Sequence, residues 1–234
     1  MKNTIQDKTK LVNSVFSKVN RKYDLMNDIM SLGIHRIWKN KFLDWMNPQQ
    51  GNNLIDVASG TGDIAKMYSK VVDNSSEIHC VEPNKGMFQI GKKNLDKFKN
   101  IKWHKDKAEK LSFKSNTFDF YSISYGLRNV TNINLALKEA FRVIKPGGRF
   151  MCLEFSKIDN EIINFLYQNY SKVIPLVGKY IVGSSDPYDY LIRSIRSFYN
   201  QEELVNLIEQ NGFSNVEYRN LSNGISAIHS GWKI

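Results

Sequence analysis

Apolar positions change their period several times along this chain. From about residue 10 to 46 they recur at helical spacing, with Leu11, Val12, Val15, Phe16 and Val19, then Ile34, Ile37, Trp38, Phe42 and Trp45. Asn47-Pro48 closes that amphipathic segment. Asn53–Ala58 then reads as a buried strand, running into a turn with Gly60 and Gly62 and a helix over about residues 62–72. "EIHCVEP" predicts a second strand, followed by a helix in "NKGMFQIGKKNLDKF" with Asn84 as its cap. "IKWHKD" and "FDFYSISYGL" predict strands three and four. "NINLALKEAFRVIK" predicts a helix stopped by Pro146-Gly147-Gly148, and "RFMCLEFS" a fifth strand.

Alternation of this kind predicts parallel βαβ units, hence an α/β, doubly wound, Rossmann-like sheet. A ligand belongs at the carboxyl ends of such strands near the switch point, where the first strand meets its glycine turn. The rhythm breaks over 157–199, where "EIINFLYQNYSKVIPLVGKYIVG" and "DPYDYLIRSIRSF" are helical and aromatic. These read as an insertion covering the site. "NQEELVNLIEQNG" returns to a regular helix, with Asn200 as N-cap, Glu203 at the capping-box position and Gly212 at its close. "FSNVEYRNL" and "GISAIHSGWKI" predict an antiparallel strand pair at the sheet edge. The expectation is a single domain over 1–234: a helical segment 1–48, a binding core 49–156, an insertion 157–199, and a helix with two strands over 200–234.

Composition adds limits. No run approaches the roughly 20 apolar residues that cross a bilayer. The start, "MKNTIQDKTK", lacks a signal-peptide pattern. Cys80 and Cys152 sit in apolar strand-like runs without metal-ligand spacing, which suits reduced thiols, a cytoplasmic location and no metal. The net charge of +10 owes much to lysines scattered through 92–114, a pattern of a solvated face rather than a nucleic-acid surface. It also suits attraction to an anionic membrane surface, so peripheral contact at the inner face of the membrane joins the expectations.

The glycine turn "ASGTGD" decides the ligand class. A dinucleotide site wants a third glycine, and a P-loop wants Gly-Lys-Ser/Thr; both are missing. Asp63, directly after Gly62, places a carboxylate where a phosphate would bind. A nucleoside carrying positive charge and no phosphate fits better, and S-adenosylmethionine is such a molecule. Glu82, at the end of the second strand, is placed to accept both ribose hydroxyls. Asp106, after the third, is placed for the adenine amino group, with the backbone of Lys107 and Ala108 beside the ring. Strand-end carboxylates also cap helices, so each alone is ambiguous. Three at successive strand ends point to a methyltransferase.

"LIDVASGTGD", "VEP", "FDFYSISYGLRNV", "EAFRVIKPGGRFMCLEFS" and "GISAIHSGWK" resemble class I methyltransferases. "YDLMNDIMSLGIHRIWK", "GLRNV" and the final "SGWK" narrow the resemblance to the ubiquinone/menaquinone biosynthesis C-methyltransferases, over about residue 10 to the end. That resemblance implies S-adenosylmethionine-dependent methylation of a ring carbon on a polyprenylated benzoquinol, demethylmenaquinol or both. It implies cofactor contacts at Thr61, Glu82, Lys107, Ala108 and Ser124, in a site shared with Asp56, Gly60, Gly62 and Asp106. Ser59 departs from the more common glycine, which a negative φ would accommodate, and Glu82 from the more common aspartate. For the chemistry, a quinol deprotonated to a phenolate pushes charge onto the ring carbon. Arg128 is the expected stabiliser of that anion, directly or through a water, unless it pairs with a carboxylate of the lid. Asn129 would orient a quinol oxygen, and Tyr23 with Asp24 would close the cofactor pocket. His35, His79 and His104 are expected to be structural. The apolar insertion suggests a channel for the prenyl tail, and the resemblance adds a homodimer and a quinone-biosynthesis complex as partners. Nucleic acid is not an expected partner, although an RNA-directed or other small-molecule methyltransferase and a non-catalytic relative of the fold remain alternatives.

Overall fold

The computed structural model describes residues 28, 31, 33–158 and 186–234. The expectations placed on Tyr23, Asp24 and most of the 157–199 insertion lie outside them. The described elements are α1 (His35–Met46), β1 (Leu54–Val57), α2 (Asp63–Tyr68), β2 (Ile78–Val81), α3 (Lys85–Asn94), β3 (Ile101–His104) and β4 (Phe118–Ser124). A 3-10 turn (Leu127–Asn129), α4 (Ile133–Val143), β5 (Ile144–Phe155), α5 (Asp186–Arg196), α6 (Gln201–Gln210), β6 (Ser214–Leu221) and β7 (Ser226–Trp232) follow.

The strands form one sheet of order β3-β2-β1-β4-β5-β7-β6. β3, β2, β1, β4 and β5 run parallel, and β7 and β6 close the far edge antiparallel. The direction of winding reverses between β1 and β4, so the crevice lies beyond Val57 and Ser124. Apolar residues fill both faces. Trp38, Phe42 and Met46 of α1 pack with Leu54, Ile64 and Tyr68 on one side. Leu137, Ala140, Leu204 and Ile208 cover Ile55, Tyr121 and Phe150 on the other.

Local signals act as their chemistry dictates. The Asn84 side chain accepts the Gly86 and Met87 N–H groups at the start of α3. Asn200 and Glu203 form a reciprocal capping box on α6. Three boundaries differ from expectation. α4 ends at Val143, and the Pro-Gly-Gly stretch lies inside β5 rather than before it. There Gly147 takes φ +79°, and its N–H bonds to the Lys233 carbonyl at 2.7 Å. The pairing of β4 with β5 shifts register between Phe118 and Phe120, so the stretch is absorbed as a bulge. α2 is shorter than expected, ending at Tyr68.

Candidate active site

The turn after β1 builds a cleft lined by Lys39, Asp56, Ser59, Thr61, Asp63 and Ser124 together with adjoining residues. Ala58, Gly60 and Gly62 take positive φ, and Ser59 does not. Ser59 instead ties the turn down, its hydroxyl donating to the Asp56 carbonyl at 2.6 Å and its N–H to the Val81 carbonyl at 3.2 Å. Across the crevice Tyr125 also has positive φ, and Gly126 follows it. A Cβ on Gly126 would stand 2.6 Å from that of Ala58, so the β1 and β4 turns approach closer than any side chain permits.

Glu82 is buried just past β2 and reaches across to the turn. Its Oε2 accepts the Gly60 N–H at 2.9 Å and its Oε1 the Asn84 N–H at 2.8 Å. Burial pushes this carboxyl up to about 7 against those two hydrogen bonds. Each oxygen keeps a lone pair for a further donor. Asp56 is fully buried; Ser122 Oγ donates to its Oδ1 at 2.6 Å, while Oδ2 has no partner. Burial raises Asp56 to about 7, opposed by the Ser122 hydroxyl. Ser124 Oγ is likewise buried without a partner in the same cleft. Such orphaned polar atoms are uncommon and fit a site made to receive hydrogen-bonding groups from a ligand. The donor set, two carboxylates and a hydroxyl beside a glycine turn, suits a nucleoside with a cationic amino-acid end.

Asp63 does not stand alone at its helix start. Lys39 Nζ, from α1, lies 2.6 Å from Asp63 Oδ2. Burial opposes the Asp63 charge, but the Lys39 ammonium overrides it and holds the carboxyl below its ordinary range. Sequence reasoning missed Lys39. The signal was present, because it falls in register with Trp38, Phe42, Leu43 and Met46 on the buried face of α1; a lysine inside an apolar stripe calls for a partner.

Asp106, Lys107 and Ala108 follow β3 and do not line the cleft. Both Asp106 oxygens are engaged by Ser112, by its N–H at 2.9 Å and its hydroxyl at 3.2 Å. Lys107 is exposed and bridges Lys110, whereas Ala108 is buried.

Arg128 is buried, and a carboxylate of the sheet, Glu154, is among its partners. Nη1 donates to Glu154 Oε1 of β5 at 2.6 Å and to the Tyr125 carbonyl at 2.6 Å, and the Arg128 N–H reaches Glu154 Oε2 at 3.2 Å. Glu154 was not foreseen, although an acid inside the apolar run "FMCLEF" was its sign. Asn129 Nδ2 donates to the same Tyr125 carbonyl at 3.4 Å, and its Oδ1 accepts the Tyr190 hydroxyl of α5 at 2.9 Å. Burial raises the Tyr190 phenol. Tyr125 thus lines the cleft while its carbonyl holds Arg128 and Asn129. Beyond them, Arg128 opens onto a polar recess of about 370 Å³ shared with Thr131, Asn132, Ser194, Ser197 and Tyr199.

The histidines lie elsewhere. His35 Nδ1 is 2.8 Å from Ser31 Oγ, and burial, then Lys39, pushes its imidazole down to about 4. His79 and His104 stack on β2 and β3, ring nitrogens 2.9 Å apart, against Phe113. Cys80 and Cys152 are free and buried, and burial pushes both thiols up.

Comparison with known proteins agrees with this geometry. Among solved structures, a SAM-dependent methyltransferase, possible histamine N-methyltransferase, from Thermotoga maritima superposes with TM-score 0.67 at 21% identity, covering 94% of this chain and 99% of that one. A SAM-dependent methyltransferase from Aquifex aeolicus gives TM-score 0.62 at 17% identity over 84% of this chain and 89% of that one. These establish the fold. Closer in sequence, a protein named ubiquinone/menaquinone biosynthesis C-methyltransferase UbiE from Rickettsia bellii is 48% identical, over 97% of this chain and 94% of its own length. The protein of that name from Cereibacter sphaeroides is 45% identical over 97% and 92%. The model of the ubiE/COQ5 methyltransferase family matches residues 2–233, and the chain belongs to that family.

Proposed function

We infer that this chain transfers a methyl group from S-adenosylmethionine to a ring carbon of a polyprenylated quinol, in ubiquinone or menaquinone biosynthesis. The observation that carries this reading is near-full-length identity to proteins bearing that name, joined to a cleft whose free acceptors suit the cofactor. When bound, S-adenosylmethionine supplies the electrophilic methyl group. Thr61 and the glycine turn would hold its chain, Glu82 the ribose hydroxyls, and Ser124 and Asp56 the amino-acid end, with the adenine reaching past that lining to Asp106, Lys107 and Ala108.

The protein's own part is to orient the acceptor and favour its anion. Arg128 keeps its charge at every working pH. Held by Glu154 and Tyr125, it cannot swing, so its field is fixed beside the cleft. A quinol hydroxyl lodged against that guanidinium loses its proton more easily, and Asn129, steadied by Tyr190, orients the oxygen. Tyr23 of the N-terminal segment belongs to the same reading as a closing residue, and the homodimer follows from the resemblance alone. Peripheral contact with an anionic membrane surface is supported by the charge of +10 and by a substrate that partitions into lipid. No helix among the described residues is long and apolar enough to cross a membrane.

Mass spectrometry of quinones in a cell lacking the gene tests the reading. Demethylated quinol should accumulate and be cleared by the wild-type chain but not by Glu82→Ala. An unchanged quinone profile in the deleted cell would sink it.

A further inference from the structure

The cleft holds one cation among its described lining residues, and it comes from outside the glycine motif. Lys39 arises on α1, is 8% exposed, and points its ammonium into the space bounded by Asp56, Asp63 and Ser124. Its pair with Asp63 is lopsided: the Lys39 side chain is 10% exposed and that of Asp63 43%. Asp63 keeps part of its carboxylate in solvent, whereas the lysine has little. Lys39, by contrast, is buried against a single carboxylate oxygen, and an ammonium carries three N–H donors. A buried cation with donors to spare is costly unless a further anion completes its shell. In the same cleft Asp56 Oδ2 and Ser124 Oγ are buried without partners, so two acceptors for a ligand ammonium line the space that Lys39 also lines.

We propose that Lys39 is the counter-ion of the methionyl carboxylate, so that the amino-acid end of the cofactor is read as a zwitterion by Lys39 on one side and by Asp56 with Ser124 on the other. The inference rests on the S-adenosylmethionine reading above and adds a binding residue from the N-terminal helix. Asp63 acts as the placeholder: it holds the lysine in position before the ligand arrives and shares it afterwards. The consequence is a cleft that discriminates by charge against adenosyl compounds lacking the carboxylate.

Calorimetry with two probes separates this role from a structural one. The probes are S-adenosylhomocysteine and S-adenosyl-3-thiopropylamine, which is the same molecule without its carboxylate. Loss of a charge-assisted hydrogen bond corresponds to about a 10- to 100-fold weaker affinity. Lys39→Met should weaken S-adenosylhomocysteine by that factor and leave the thiopropylamine within about twofold of wild type. Lys39→Arg, which keeps the charge and the helix contact, should restore most of the loss. An equal fall for both probes in Lys39→Met, or unchanged S-adenosylhomocysteine affinity, would overturn the assignment. Wild-type protein that binds neither probe would overturn the cofactor reading itself, a separate outcome.

Discussion

Ala58 and Tyr125 both adopt φ +54°, a conformation that neither side chain favours, at the carboxyl ends of neighbouring strands. Each such residue costs of order 1–3 kcal/mol and persists only where its surroundings over-determine it. Here the two turns are pressed together through Gly126, and the strain sits where the cleft is formed. Gly126→Ala should therefore lower unfolding free energy by roughly 1–3 kcal/mol in urea denaturation. A variant as stable as wild type would show that the turns have room to separate. Asp56 carries a second residue-scale consequence. Burial raises it from 3.8 to about 7, so between these values the native chain binds more protons than the unfolded one. Stability from this group thus falls as pH rises through that window and levels off above about 7. The stability of wild type minus that of Asp56→Asn should fall by the same course from pH 4 to 7. A pH-independent difference would contradict the assignment of a protonatable Asp56.

At the scale of elements, what could be read from the sequence was what neighbours in the chain decide. The Asn84 cap and the Asn200–Glu203 box follow from side chains two or three residues away, and both stand as expected. The Pro146-Gly147-Gly148 stretch has the same local signal, yet it became a bulge whose backbone pairs with Lys233, just past β7. The contacts that make the site are long-range and were illegible as pairs. Arg128 meets Glu154 across 26 residues and Lys39 meets Asp63 across 24. Their residues could be suspected singly, as charges inside apolar patterns, but no spacing rule names the partner. The Arg128–Glu154 pair joins the 3-10 turn to β5, with side chains 5% and 2% exposed. Glu154→Ala should cost about 3–5 kcal/mol by removing a carboxylate from a buried ion pair. The paired replacement Arg128→Met with Glu154→Leu should recover much of that stability, and a double variant no better than the single would contradict this account of the pair.

On the scale of the whole molecule, alternating strand and helix patterns predicted five parallel strands and an edge hairpin, and the sheet has both. Alternation does not give strand order; the reversal between β1 and β4 is what brings Asp56, Glu82 and Ser124 to one crevice. The substrate was legible only through motifs spread over the chain, because the cleft is common to many methyltransferases and its geometry does not name an acceptor. The most direct test is methyl transfer by the purified chain from isotopically labelled S-adenosylmethionine to a polyprenylated benzoquinol or demethylmenaquinol, offered in reduced and oxidised forms. Labelled methyl on the ring carbon of the quinol, with little on the quinone, is the result expected of a site that works through a phenolate. No label on either quinol, or equal label on quinol and quinone, would contradict it.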